Sequence, residues 1–176
     1  RGPGPASVAG GREGMAPRRS LGQACCMLDP SCGVCRLHQS PEAAALEILR
    51  SGPWLLRHHP LPSPLVGWLL LDTRRHLGGA ADFGAEEIEG FGAMLQRCRA
   101  LVRELSGCDR VYAISFGEGA RHFHLHLIPR HGQDPASESW RVADLYRAVA
   151  AGERPAADPE QVAALVERAR QLSGGG

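Results

Sequence analysis

Residues 121–130 read Arg-His-Phe-His-Leu-His-Leu-Ile-Pro-Arg, so histidines alternate with apolar side chains. Successive side chains of a β-strand point to opposite faces of the sheet, and this alternation therefore predicts a strand. The apolar side chains are expected to bury themselves in the core. The opposite face is expected to carry His122, His124 and His126. Imidazole is a nucleophile, an acid or base near neutral pH and a metal ligand, so this face indicates chemistry rather than packing.

The rest of the chain predicts an α+β fold. Short apolar runs favour further strands at residues 54–57, 66–71 and 110–116. Capping residues and three- to four-residue apolar spacing predict helices at 40–50, 85–106, 140–150 and 158–172. The order of two strands, a long helix and two strands predicts an antiparallel sheet that is covered on one side.

The length of 176 residues is that of one domain. Residues 1–20 consist largely of Gly, Pro, Arg and Ser without an apolar pattern, which predicts a disordered N-terminal extension. We expect a single domain over residues 21–173 and a frayed tail over residues 174–176.

Composition excludes several classes of function. The net charge of +1 offers no overall field that would attract nucleic acid or a membrane surface. All twenty basic residues are arginines, and the absence of lysine excludes a Schiff-base lysine and a phosphate-loop lysine. No apolar run reaches the roughly 20 residues that span a bilayer, and the start lacks the apolar core of a secretory signal. We therefore expect a cytoplasmic protein.

Cys32 and Cys35 form a Cys-x-x-Cys turn with a glycine inside it. Such a turn brings two thiolates about 3.5–4 Å apart, which suits one edge of a zinc tetrahedron. A redox pair and two buried thiols are the alternatives, although the redox pair needs a βαβ context that is missing here. The candidates for the two further zinc ligands are His76, which follows an apolar strand, His122 at the start of the histidine segment and, as a local alternative, His38.

The His-x-His-x-His motif, followed by Leu-Ile-Pro-Arg, resembles the signature of the histidine triad family of nucleotide hydrolases and transferases. Residues 67–76 are similar to that family's first long strand and to the basic residues and histidine after it. The helix at 85–106 falls where the family has one. The resemblance covers about residues 30–131. It implies a five-stranded antiparallel sheet with one long helix packed on it, to which this chain adds C-terminal helices.

The resemblance also implies an enzyme with a covalent mechanism. His124 would attack the α-phosphorus of a nucleoside phosphate derivative and form a nucleotidyl-histidine, which water then hydrolyses. His126 would donate a hydrogen bond to phosphate oxygens or to the leaving group. The chemistry agrees, because neutral imidazole is a competent nucleophile and nearby donors stabilise developing charge. The implied substrate is a dinucleoside polyphosphate of the Ap4A type or a nucleoside phosphoramidate.

Some bacterial members of the family bind structural zinc, and the same positions are present in this chain. They are the two cysteines of the turn, the histidine after the first long strand and the first histidine of the triad: Cys32, Cys35, His76 and His122. The resemblance therefore implies a structural Zn²⁺ that does not take part in the reaction. It also implies a homodimer that pairs through the helix at 85–106.

Two departures from the family's pattern concern substrate binding. The family's Gln and Ser or Thr before the triad are missing from residues 116–121, where Gly119 and Arg121 are the candidates to contact phosphate. The loop at 58–64 lacks an acidic residue for the ribose; His59 is expected either to contact sugar or base or to cap a strand end. Arg130 is a further candidate at the border of the site.

Two alternative functions remain open from the sequence. In one, the three triad histidines bind a catalytic zinc that activates water. In the other, the protein is a nucleotide-binding module without turnover, since the usual phosphate-contacting side chains before the triad are absent.

Overall fold

The computed structural model describes residues 28–174, and the predictions for residues 1–20, Gly175 and Gly176 lie outside this range. Its centre is a five-stranded antiparallel sheet in the order β1-β2-β3-β5-β4, as predicted. The strands are β1 (Glu47–Ser51), β2 (Trp54–His58), β3 (Leu69–Thr73), β4 (Arg110–Ile114) and β5 (His124–Arg130). The α+β prediction is confirmed.

Five α-helices surround the sheet in the described part of the chain. They are α1 (Gly33–Leu37), α2 (Pro41–Leu46), α3 (Ala85–Ser106), α4 (Ser139–Ala150) and α5 (Pro159–Gly174). The predicted bounds of the long helix are confirmed. Its first turn is closed by Glu87, whose carboxylate accepts from the Gly84 amide at 2.9 Å. Gly107 ends the helix in the left-handed region at φ 64°, where glycine has no steric penalty.

Two of the sequence-predicted elements differ from their predicted bounds by more than two residues at one end. The helix predicted to reach Arg50 ends at Leu46, and the chain continues as β1, which pairs with β2. Long-range contacts explain the early end: the Arg170 guanidinium donates to the carbonyl oxygens of Ala44 and Ala45, both at 3.1 Å. The strand predicted at 66–71 is shifted to Leu69–Thr73.

The histidine segment also differs from the prediction. Strand β5 begins at His124 rather than at His122. The apolar side chains of the histidine segment, Phe123, Leu125 and Leu127, do lie in the main core. That core fills the space between one face of the sheet and helices α3 and α5, whose buried residues include Val102 and Val166.

The second face of the sheet is covered at one end. Val142 of α4 packs with Trp68 and Ile128 into a smaller apolar cluster. The prediction that helices cover only one side of the sheet is therefore wrong. The uncovered part of the second face carries the polar residues described below. Between residues 28 and 174, no helix combines the length and the apolar character needed to cross a membrane.

Candidate functional site

Four predicted metal ligands converge at one end of the sheet. The donor atoms of Cys32, Cys35, His76 and His122 all lie within 4.8 Å of one another. The Nδ1 atom of His122 is 3.7 Å from Sγ of Cys32 and 3.4 Å from Sγ of Cys35. The Nδ1 atom of His76 is 3.5 Å from Sγ of Cys35. A tetrahedral zinc ion separates sulfur and nitrogen ligands by about 3.6 Å, so these donors fit that metal.

Helix α1 and contacts between distant segments position the four ligands. Cys32 is the N-cap of α1, and Cys35 lies in its first turn. His122 donates from Nε2 to the Thr73 carbonyl oxygen at 2.8 Å, which leaves Nδ1 without a proton and free to bind a metal. The Nε2 atom of His76 is 3.8 Å from Oδ2 of Asp29.

His38, the alternative ligand from the sequence, does not join this cluster. Its Nε2 atom is 2.7 Å from Oδ2 of Asp72. Its ring contacts that of His122 edge-on, with centroids 5.4 Å apart. His38 therefore lies between the four-residue cluster and the polar face of the sheet.

Strand register assembles the second group of polar residues. Across β3 and β5, Asp72 is opposite His124 and Leu70 is opposite His126. These two histidines, with ring centroids 5.3 Å apart, line a cavity of about 600 Å³. Pockets for small ligands and cofactors have volumes of about 300–1,000 Å³.

One hydrogen bond determines the tautomer of the His124 ring. Its Nδ1 atom is 2.6 Å from the backbone carbonyl oxygen of His122. A carbonyl oxygen only accepts, so Nδ1 carries the proton and Nε2 keeps the lone pair in the neutral ring. The side chain is half-buried. His124 thus combines an available nitrogen lone pair with access to the cavity.

His126 has the opposite tautomer. Its Nδ1 accepts from the indole N–H of Trp68 at 2.9 Å, so the proton of the neutral ring is on Nε2. Burial, together with the nearby His124 and His59, lowers the pKa of His126 to about 3. His126 is therefore a neutral hydrogen-bond donor at physiological pH.

His59 lines the same cavity. Its Nδ1 donates to the Pro60 carbonyl oxygen at 2.8 Å, which leaves Nε2 as an acceptor. Burial lowers the pKa of His59 to about 4. The ring is packed edge-on against Tyr146, with centroids 5.4 Å apart.

The structure does not bring all of the predicted substrate contacts together. Gly119 lines the cavity, whereas Arg121 is exposed and is not among the lining residues. The Arg130 guanidinium turns towards the loop that follows β5. It donates there to the carbonyl oxygens of His131 and Asp134 and to the Ser137 hydroxyl. Arg130 therefore holds this loop and does not line the cavity.

The lining residues that sequence reasoning missed include Arg57, Tyr146 and Arg147. Arg57 of β2 donates from Nε to Oδ2 of Asp72 at 2.7 Å. The sequence did carry a signal for this pair, because the apolar runs of β2 and β3 each contain one charged residue, Arg57 and Asp72, and the two charges have opposite signs. Tyr146 and Arg147 come from α4, which no motif connected with the triad.

Comparison with known proteins shows which solved structures share this fold. No protein-family model matches the sequence, and no curated protein matches it. The structure is similar to a Hit-like protein involved in cell-cycle regulation from Bartonella henselae (TM-score 0.60, 13% identity, 82% of this chain and 98% of that chain). It is also similar to a zinc-bound histidine triad family protein from Mycobacterium smegmatis (TM-score 0.57, 20% identity, 83% and 98%). A third similar structure is a hypothetical histidine triad nucleotide-binding protein from Sulfolobus tokodaii (TM-score 0.54, 12% identity, 72% and 81%).

Proposed function

With the fold of histidine triad proteins as the premise, we propose that this chain is a nucleotide hydrolase or nucleotidyl transferase that acts through His124. The observation that carries the proposal is the tautomer of His124, because its Nδ1–H is bound to a carbonyl oxygen and Nε2 is left as a nucleophile beside a cavity. The proposed substrate is a dinucleoside polyphosphate or a nucleoside phosphoramidate.

In the first step, the lone pair of His124 Nε2 forms a bond to the α-phosphorus, and the leaving group departs with the electron pair of its own bond to phosphorus. A polyphosphate leaves as an anion, whereas the nitrogen of a phosphoramidate takes up a proton from solvent as it leaves. The Nδ1–H group keeps its carbonyl partner, which stabilises the positive charge on the nucleotidylated ring. His126 donates a hydrogen bond from Nε2–H to a phosphate oxygen or to the leaving group and stays neutral. In the second step, water attacks phosphorus, the P–N electrons return to Nε2 and one water proton goes to solvent. A transferase would use another acceptor in place of water.

We also assign the nucleoside end of the substrate to the half of the cavity beside His59. Because His59 Nε2 is an acceptor, it suits a ribose hydroxyl or a base N–H. Tyr146 and the apolar residues Leu37 and Leu61 line the same cavity and offer surface on which a base can pack.

The first test is detection of the covalent adduct. The protein is incubated with Ap4A and with an adenosine phosphoramidate, quenched, and examined by peptide mass spectrometry for an adenylyl group on His124. The adduct and turnover are expected in the parent protein and in a His131→Asn control, since His131 does not line the cavity. Both are expected to be lost in His124→Ala. Turnover by His124→Ala at the parent rate would refute the mechanism.

The same experiment separates the two alternatives. In the described chain, the cluster that could hold a metal contains His122 but neither His124 nor His126, which argues against a zinc held by all three triad histidines. Turnover that a chelator abolishes, without an adduct, would support that alternative nevertheless. Nucleotide binding with neither turnover nor adduct would support a binding module.

We further propose that the Cys32, Cys35, His76 and His122 cluster holds a structural zinc ion. Its support is the agreement of donor distances with a tetrahedron and the burial of both thiols and His122. Zinc in such a site polarises no substrate; it links α1 to the ends of β3 and β5 and contributes to folding.

Zinc content and melting temperature test this site. Cys32→Ser is expected to lose bound zinc and to melt at a lower temperature, whereas Cys108→Ser, a buried thiol outside the cluster, is expected to keep its zinc. Unchanged zinc and unchanged melting temperature in Cys32→Ser would remove the metal proposal.

We propose, finally, that the protein forms a homodimer through α3. The support is an exposed apolar side chain on this helix, Ile88, of which 66% is accessible. Ile88→Arg is expected to shift the mass measured by light scattering from dimer to monomer. A monomeric parent protein would contradict the proposal.

A further inference from the structure

Arg57 is a buried cation with unused hydrogen-bonding capacity. Only 3% of the residue is exposed. Its Nε donates to Asp72 at 2.7 Å, but Nη1 is buried and has no hydrogen-bond partner among the described residues. A guanidinium has five N–H donors, and buried polar groups without partners are uncommon in native proteins. An unfilled donor at this position therefore calls for an explanation.

The position of Arg57 points to a ligand. Arg57 is opposite Leu70 on β3, and Leu70 is opposite His126 on β5. The three residues form one row across the polar face of the sheet, and Arg57 lines the cavity together with His124 and His126. The buried guanidinium thus lies on the same wall as the proposed nucleophile.

The other charged residues that line the cavity are poorly placed to hold an anion. Arg147 is exposed and is paired with Asp144 at 2.6 Å. Glu118 is exposed and carries the wrong sign. The loop at 116–121 contains no hydroxyl or amide side chain that could donate to phosphate oxygens. Among the charged residues that line the cavity, Arg57 is therefore the buried cation.

We propose that Arg57 is the anion-binding residue of the cavity and that its guanidinium holds the phosphate whose phosphorus faces His124. This rests on the proposed function, of which it names the phosphate-recognition residue. A guanidinium binds phosphate through two parallel hydrogen bonds. Asp72 is the positioning residue: it accepts from Nε and so orients the side chain, and its own contact with His38 holds the carboxylate in place.

The experiment compares a phosphorylated ligand with the same ligand lacking phosphate. AMP and adenosine are titrated into His124→Ala protein, in which no adduct can form, and affinities are measured by NMR so that weak binding is also quantified. Arg57→Gln is expected to lower AMP affinity about 10- to 100-fold, the usual range for a hydrogen bond to a charged group, and to leave adenosine affinity unchanged. Arg57→Lys, which keeps the charge, is expected to restore part of the AMP affinity.

Arg147→Gln is the matched control, because it removes an exposed arginine at the rim of the same cavity. It is expected to weaken AMP binding less than Arg57→Gln does. An equal loss in the two variants would reveal a general effect of charge and would overturn the assignment to Arg57. Should Arg57→Gln fail to fold, the Arg57→Met/Asp72→Leu double variant removes both buried charges together and is titrated in its place.

This experiment can fail independently of the test for the covalent adduct on His124. AMP affinity that stays within about twofold of its starting value overturns the role of Arg57, as does an equal fall in AMP and adenosine affinity or the absence of AMP binding to His124→Ala. Arg57-dependent AMP binding in a protein whose parent forms no adduct supports the anion site and refutes only the catalytic proposal.

Discussion

Asp72→Asn is expected to destabilise the protein strongly, because it leaves a buried arginine without its counter-ion. Asp72 is fully buried, and its Oδ2 accepts from Arg57 Nε and lies against His38 Nε2, both at 2.7 Å. An asparagine would keep an acceptor there but would place its NH2 group where Asp72 Oδ1 has no hydrogen-bond partner in the described part of the chain. The substitution thus removes a charge and adds an unsatisfied donor.

The magnitude follows from two estimates. Burial alone raises the pKa of Asp72, but the Arg57 charge and His38 outweigh it and lower the pKa from 3.8 to about 2. A shift of that size corresponds to about 2 kcal/mol in favour of the folded state at neutral pH. Breaking a buried ion pair by removing one partner costs roughly 3–5 kcal/mol. We expect a loss of about 3 kcal/mol in the free energy of unfolding, with a melting temperature lowered by roughly 6–12 °C.

Urea unfolding followed by circular dichroism measures this loss at pH 7, with Asp144→Asn as the control. Asp144 also pairs with an arginine, but that pair is exposed, and its loss should change stability by less than about 1 kcal/mol. Because the folded pKa of Asp72 is depressed, its contribution is complete above about pH 4 and is lost as the pH falls towards 2. A destabilisation under about 1 kcal/mol, or a difference from the parent that does not shrink in acid, would refute the reasoning.

Four other substitutions test the structure. Trp68→Phe removes the indole N–H that donates to His126 Nδ1 at 2.9 Å. We expect a several-fold lower kcat and altered NMR shifts of the His126 ring nitrogens. Unchanged shifts would show that the indole does not set the tautomer. Gly107→Ala should cost about 1 kcal/mol in urea unfolding because φ is 64°, whereas Gly92→Ala inside α3, with open space around it, should be stabilising; equal effects would contradict the backbone argument. Leu127→Ala, at a fully buried position, should cost about 3 kcal/mol in the same assay, and a loss under 1 kcal/mol would show that the core collapses around the gap.

Local sequence patterns predicted much of the fold. The apolar spacing and the glycine at its end placed α3 at Ala85–Ser106 as observed. The alternation of the histidine segment correctly assigned Leu125 and Leu127 to the core. These predictions succeeded because periodicity and capping are properties of neighbouring residues, and the structure satisfies them within single elements.

Predictions that depended on distant residues were less successful. Strand β1 was missed because its helical propensity continues from α2, and the change of structure follows from pairing with β2 and from the Arg170 contacts. His122 shares the alternation of His124 and His126, yet it lies before β5. Its position in the cysteine cluster was predicted, but the strand was expected to include it. The local pattern cannot show that Thr73 accepts from this ring.

In this protein, some features therefore follow from the sequence of a single segment, and others depend on how distant segments pack together. The residue types for nucleophilic chemistry and for a metal, the long helix and the apolar face of β5 follow from order and spacing alone, because those are local properties. The placement of Arg57 beside Asp72, and of both on the same face of the sheet as His124, depends on the register of three antiparallel strands. Hydrogen bonding and burial at that register determine which imidazole nitrogen is free and which charge is buried, and neither is encoded in the spacing of the residues.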